Sequence, residues 1–169
     1  MHWPNVEPVA SKRLRLEPLS VEHARGMVGV LADAAIYEYT GGEPPSFEQL
    51  RHRYAAQAVG HSADGSQRWF NWIVKLRDSE APIGFVQATV EQSGPGLVAE
   101  IAWVISPLHR GNGIASEATN VMTTWLRSKG VTSFVAHVHP AHYASIGVAR
   151  NQGLHQTPLA KNGEIRWES

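Results

Sequence analysis

Residues 98–118 read Val-Ala-Glu-Ile-Ala-Trp-Val-Ile-Ser-Pro-Leu-His-Arg-Gly-Asn-Gly-Ile-Ala-Ser-Glu-Ala. Two pieces of chemistry sit in this stretch. A single carboxylate, Glu100, interrupts an apolar, strand-like run that stops at Pro107. A glycine-bearing loop follows, Arg110-Gly111-Asn112-Gly113-Ile114-Ala115, and then a helical pattern with no breaker before Gly130. Strand, glycine loop and helix N-terminus together make an anion site. The first turn of a helix has N–H groups without intrahelical partners and a partial positive charge. Glycine lets the backbone approach a phosphate closely. The loop lacks the Lys-Ser/Thr ending of a nucleotide P-loop and lacks G-x-G-x-x-G. A nucleotide-binding α/β protein is therefore a weaker reading, and an ordinary strand-to-helix turn is the plain structural one.

Farther on stand His137, His139, His142 and Ser145. His137 and His139 share a strand face by alternation, and His142 begins a helix. No Asp, Glu or Cys is spaced to complete a ligand set with them, so no metal site is expected. Acid–base chemistry is what remains to these groups. Glu100 shares its face with Val98, Ala102 and Val104. Burial there would raise its pKa into the working range of a general base; the alternative is a solvated carboxylate on an open sheet face.

The elements that must position these groups follow from the pattern. Arg13–Leu19 alternates charged and apolar residues, which predicts a half-buried strand. Ser20 is placed to cap the next helix, which buries Val21, Ala24, Met27, Val28 and Leu31. Ser46-Phe47-Glu48-Gln49 is a capping-box pattern opening a second helix that runs to about Val59. Three strands follow as a meander, Arg68–Leu76, Pro82–Gln92 and Leu97–Ile105, joined by turns at 77–81 and 93–96. A helix over about 113–129, a buried strand Val131–Val138, a helix Ala141–Gln152 closed by Gly153, and two short strands, His155–Leu159 and Glu164–Trp167, complete the chain. Residues 1–11, with two prolines, read as a loose N-terminal arm, and residues 12–169 as one domain.

Bulk properties agree with one globular unit. The 169 residues are 43% hydrophobic and 18% charged, enough to build a core. Lys plus Arg and Asp plus Glu are 15 each, which gives no basic surface for nucleic acid. Nine histidines make the net charge rise between pH 7 and 6. Cysteine is absent, which removes disulfides, thiolate nucleophiles and Cys-ligated metals and makes a cytoplasmic location the default. No secretory signal pattern and no apolar run of membrane length is present.

The loop pattern Arg-x-x-Gly-x-Ala resembles the pyrophosphate-binding signature of the Gcn5-related N-acetyltransferase (GNAT) superfamily, Arg/Gln-x-x-Gly-x-Gly/Ala. The element order β-α-α-β-β-β-α-β-α-β-β is also the order of that fold, over essentially the whole chain. The RimJ/RimL-like branch is the nearest in local sequence. Arg13-Leu14-Arg15-Leu16-Glu17-Pro18-Leu19, Glu100-Ile101-Ala102-Trp103, and His142-Tyr143-Ala144-Ser145 with Asn151-Gln152-Gly153-Leu154 carry that likeness. The implied fold is a single-domain α/β (α+β) acetyltransferase domain with a mixed central sheet, two splayed strands and flanking helices.

The resemblance implies an acyl-CoA-dependent N-acyltransferase that moves an acetyl group from acetyl-CoA to a primary amine by direct attack, with no metal. Arg110, Gly111, Asn112, Gly113, Ile114, Ala115 and Ser116 would hold the pyrophosphate. The backbone of Trp103, Val104 and Ile105 would meet the pantetheine arm. Glu100 would act as base, and Ser145 would lie near the cofactor sulfur. His142 replaces the family's usual Asn at a cofactor contact, and Ala149 stands where many relatives have a general-acid Tyr. These two departures support the alternative of a non-catalytic CoA-binding sensor or interaction module on the same fold. Tyr37, Tyr39 and Trp72 fall in segments that line the family's acceptor pocket, although aromatic residues also serve core packing. The expected partners are acyl-CoA and an amine, without nucleic acid or membrane. A homodimer is a state common among relatives. Zero net charge favours a small-molecule acceptor over a protein N-terminus amid ribosomal phosphates.

Overall fold

The computed structural model describes residues 3–169. Eight strands form one sheet in the order β1-β2-β3-β4-β5-β6-β8-β7. They are β1 (Val9–Ala10), β2 (Leu14–Pro18), β3 (Gln67–Leu76), β4 (Pro82–Ser93), β5 (Gly96–Ile105), β6 (Val131–Val138), β7 (His155–Lys161) and β8 (Glu164–Glu168). The helices are α1 (His23–Val30), α2 (Phe47–Gln57), α3 (Ile114–Ser128) and α4 (Tyr143–Asn151), with short 3-10 turns at Ala34–Tyr37 and Pro107–His109. All strand pairs are antiparallel except β5 with β6. The predicted fold class stands, and the element order differs from the predicted one only by the added strand β1. Among the described residues no helix is long and apolar enough to cross a membrane.

Strand alternation divides the core. Phe70, Trp72 and Val74 of β3, Val86, Ala88 and Val90 of β4, and Ala99 and Ile101 of β5 face α3 and α4, packing on Ile114, Ala118, Met122, Trp125 and Ala149. Ile73, Phe85 and Val104 take the other face, against Ala24, Met27, Leu50 and Tyr54 of α1 and α2. By the same parity Gln87, Thr89, Glu100, Ala102 and His137 stand on the α1–α2 face.

Two local expectations change. The N-terminal arm is not loose: Val9 and Ala10 pair with Leu16 and Arg15, and Trp3, Val6 and Val9 pack on the core. Residues 1–2 of that arm lie outside the described residues. Ser20 is not a side-chain cap, because α1 begins at His23 and Glu22 holds the cap position. His23 instead reaches back, its Nδ1 accepting from the Ser20 amide at 3.0 Å. The Ser46–Gln49 capping box of α2 is formed in both directions.

The topology creates the site at one point. The β5–β6 pairing covers only Leu97, Val98, Ala99 and Glu100 of β5. Beyond it β6 keeps only β8, on its other edge, with Val135–Val138 paired to Glu168–Ile165, while Ile101–Ile105 keep only β4 as a neighbour. The two parallel strands separate into a V with Glu100 at its apex.

Candidate active site

The V opens into a cleft of about 790 Å³ walled by β4, β5, β6, the 110–116 loop and α4. At one end lies the loop. Gly111 and Gly113 have φ of 82° and 74°, left-handed values that favour glycine. Gly113 caps α3 with no side-chain bond. The amides of residues 111–116 find no backbone carbonyl partner among the described residues, the first helix bond being Glu117 N–H to the Gly113 carbonyl. These donors suit an anion. Glu117, the acid in this first turn, is turned away from the loop and held by Ser11 and by the Arg13 amide and guanidinium. Burial raises its pKa, and those hydrogen bonds outweigh it, so its carboxyl sits below the usual range.

Along the middle of the cleft, β5 offers the backbone edge left open by the splay. Such unpaired N–H and C=O groups are a template for an extended amide-bearing ligand. β5 also lies very close to β4 here. A Cβ on Gly84 would come within 2.0 Å of the Val104 carbonyl oxygen, so only glycine fits. An anion loop next to an open strand edge is the layout that a pyrophosphate with a pantetheine arm requires.

Two polar clusters flank this edge. On the α4 side, Trp103 Nε1–H donates to Ser145 Oγ at 3.3 Å, and Ser145 Oγ lies 3.3 Å from His142 Nε2. Burial is the main cause that lowers the His142 pKa, with the Arg110 charge adding to it. A neutral imidazole can then accept from the Ser145 hydroxyl. Tyr39 stacks on His142 at 4.6 Å and tilts toward His139 at 5.3 Å. On the α1–α2 face, His137 Nδ1 lies 2.9 Å from Glu100 Oε1.

The predicted site residues are distributed as follows. Glu100, Trp103, Val104, Ile105, Arg110, Gly111, Gly113, Ile114, Ala115, Ser116, His142 and Ser145 all line the cleft. Asn112 is exposed and does not line it. Glu100 is not buried as expected; its side chain is 59% exposed, so the burial on which its assignment as a base rested is absent. What distinguishes it instead is its histidine partner. Trp72 is a correction. It is fully buried, packs edge-on against Trp125 and donates its indole N–H to the Glu7 carbonyl; it does not line the cleft and only borders a smaller second cavity. Tyr37 donates its hydroxyl to the Leu31 carbonyl, and only Tyr39 reaches the cleft groups.

Sequence reasoning passed over several cleft residues, among them Gln87, Thr89 and Asn151. Gln87 and Thr89 carry a signal in hindsight: they are polar positions alternating with buried Val86, Ala88 and Val90. Asn151 donates to Ser116 Oγ and ties the end of α4 to the start of α3. His137, His139 and His142 go to Glu100, to the Ala141 amide and to Ser145 respectively.

Comparisons with known proteins follow the same lines. Residues 13–155 match the family model described as acetyltransferase (GNAT) domain. Among solved structures, an acetyltransferase (GNAT family) from Bacillus anthracis superposes with a TM-score of 0.72 at 15% identity, covering 96% of each chain. RimL, a ribosomal L7/L12 α-N-protein acetyltransferase in complex with coenzyme A, gives 0.74 at 16% identity, covering 96% of this chain and 97% of that one. An aminoglycoside acetyltransferase in complex with coenzyme A gives 0.75 at 16% identity, covering 92% and 94%.

Proposed function

The chain belongs to the GNAT acetyltransferase family and is an N-acetyltransferase; from that premise we propose that it acetylates a small primary amine by direct attack, with both substrates bound together. The observation that carries this reading is that an anion loop, an open strand edge and an acid–base pair converge on one cleft. In it, the residue 110–116 amides and the Arg110 guanidinium hold the pyrophosphate of acetyl-CoA. The Trp103-Val104-Ile105 backbone pairs with the pantetheine arm, and His142 flanks it. Asn112 contributes its amide alone.

Acetyl-CoA supplies an acyl group already activated as a thioester. Glu100, oriented by His137, takes the proton of the incoming ammonium directly or through a water, so that a neutral amine attacks. The C–N bond forms as the C–S bond breaks, and the second proton of the amine nitrogen passes to the departing thiolate. Ser145, whose oxygen accepts from Trp103, turns its hydroxyl from His142 Nε2 to the departing sulfur. The rate gain comes mainly from holding amine and thioester together. Zero net charge favours a small amine over a ribosome-borne N-terminus, which would sit among phosphates.

The test is thiol release from acetyl-CoA, read with a thiol-reactive dye, against pools of small amines and of N-terminal peptides. The protein has no cysteine, so only product thiol reacts. Release with the small-amine pool is the expected result. Release with peptides alone would overturn the acceptor assignment, and coenzyme A binding with no release from any pool would favour a binding module.

A further inference from the structure

A second cavity, of about 170 Å³, lies on the α1–α2 face of the sheet. Its walls include Arg53, Tyr54 and Gln57 of α2, Asn71 of β3, and Phe85 and Gln87 of β4. Phe85 and Gln87 also line the main cleft. The two spaces therefore share one floor, the same face of β4 that carries Thr89 opposite Glu100.

This cavity holds an unmet hydrogen-bonding demand. Tyr54 is 4% exposed, and its hydroxyl has no partner among the described residues. Leaving a buried hydroxyl unpaired costs free energy that a ligand oxygen would recover. Desolvation pushes its pKa up to about 12, so the group remains a neutral O–H donor at any working pH. Asn71 stands directly across from Gln87 in the sheet. Arg53 is the one charged residue in the lining, with no Asp or Glu beside it. The Glu100–His137 end of the face carries a carboxylate, and this end carries a guanidinium.

We propose that this cavity is the distal subsite of the acceptor, and that it selects amines bearing a carboxylate far from the nitrogen. The ammonium goes to Glu100, and the carboxylate goes to the Tyr54 hydroxyl and Arg53. Strand geometry sets the span. Asn71 and Glu100 are two strands and two residues apart in the paired rows, which is roughly 10–12 Å. A long ω-amino acid fits that separation. A diamine of the same length brings a second cation to Arg53 and is disfavoured.

The proposal rests on the acetyltransferase reading for turnover but not for binding. The probes are 8-aminooctanoate, octylamine and 1,8-diaminooctane. With the wild-type chain, kcat/KM for the amino acid should exceed that of the other two by about tenfold or more, the scale of a hydrogen bond to a charged group. Tyr54→Phe, which keeps the ring in the core, should remove most of that preference while leaving octylamine unchanged, and Arg53→Gln should do the same from the other wall. Equal use of all three amines, or a loss in Tyr54→Phe that is the same for each, overturns it. Calorimetric titration of the same amines in the presence of coenzyme A separates the two readings. If no amine is acetylated but 8-aminooctanoate binds more tightly than octylamine and Tyr54→Phe abolishes the difference, the subsite stands and the assigned reaction fails. If there is no difference in binding, the subsite fails.

Discussion

His137 Nδ1 and Glu100 Oε1 are 2.9 Å apart, bridging β6 and β5 where these parallel strands separate. Glu100 is the last residue of β5 paired to β6, and His137 is two residues past its partner Val135. The pair therefore spans the mouth of the V. The carboxylate is largely in solvent, while the His137 side chain is 17% exposed. The imidazole is the anchored member and fixes where the carboxylate points.

This arrangement predicts that Glu100→Gln lowers kcat by about 100-fold, the lower range for a lost general base, with the KM for acetyl-CoA unchanged. His137→Asn should cost less, about tenfold, because it releases the carboxylate without removing it. Steady-state thiol release measures both. A Glu100→Gln variant with wild-type kcat would assign the proton to another group.

Gly84 and Gly113 are required for different reasons. At Gly113 the left-handed φ of 74° penalises any side chain by roughly 1–2 kcal/mol, yet a Cβ would meet only the end of the Arg13 side chain at 3.8 Å. Gly113→Ala should fold, lose about 1 kcal/mol in urea denaturation and bind coenzyme A more weakly. At Gly84 the obstacle is the Val104 carbonyl at 2.0 Å. Gly84→Ala should lose about 3 kcal/mol, the upper end of overpacking costs, because β5 must move.

Glu117 links the N-terminal segment to α3 through Ser11 and Arg13. Its folded pKa lies below the ordinary value of 4.5, so the unfolded chain holds the proton more tightly. The stabilisation is present above about pH 4.5 and is lost as pH falls through the folded pKa. Glu117→Gln should cost about 1.5 kcal/mol at pH 7 and progressively less as pH falls below about 4.5. Urea midpoints measured from pH 7 downward check this.

His142 is held below its ordinary pKa of 6.5, chiefly by burial. The unfolded chain therefore binds a proton first, and this group lowers stability as pH drops below 6.5. Tyr39 covers one face of the ring. Tyr39→Ala should bring the His142 pKa back toward 6.5, followed by the ring Cε1–H resonance in NMR. Ser145→Ala should lower kcat by about tenfold while leaving that titration near its wild-type position.

The corrections have one cause. Trp72 lies in a segment that could line an acceptor pocket, but Trp72 and its neighbour Ile73 point to opposite faces of β3, and only packing says which face meets α3. Glu100 reads as a buried carboxylate because its neighbours along the strand are apolar, yet its side of the sheet is uncovered at the apex. Val9 and Ala10 are too short a run to register as a strand until Leu16 and Arg15 lie beside them.

What the sequence determined by itself is local. The capping box at Ser46, the glycine loop at 111–113, the strand alternation of β3 to β5 and the breaks between elements follow from propensity and backbone sterics within a few residues. These fix the element order, and with the loop they indicate the family. The tertiary structure decided which residues separated in sequence meet: His137 with Glu100, Ser145 with Trp103, Glu117 with Arg13, and Tyr54 with Phe85 and Gln87 around one cavity. Those contacts depend on register, face and the point where two parallel strands part. These are set by the sum of many weak packing terms over the whole sheet, which no short window of residues contains.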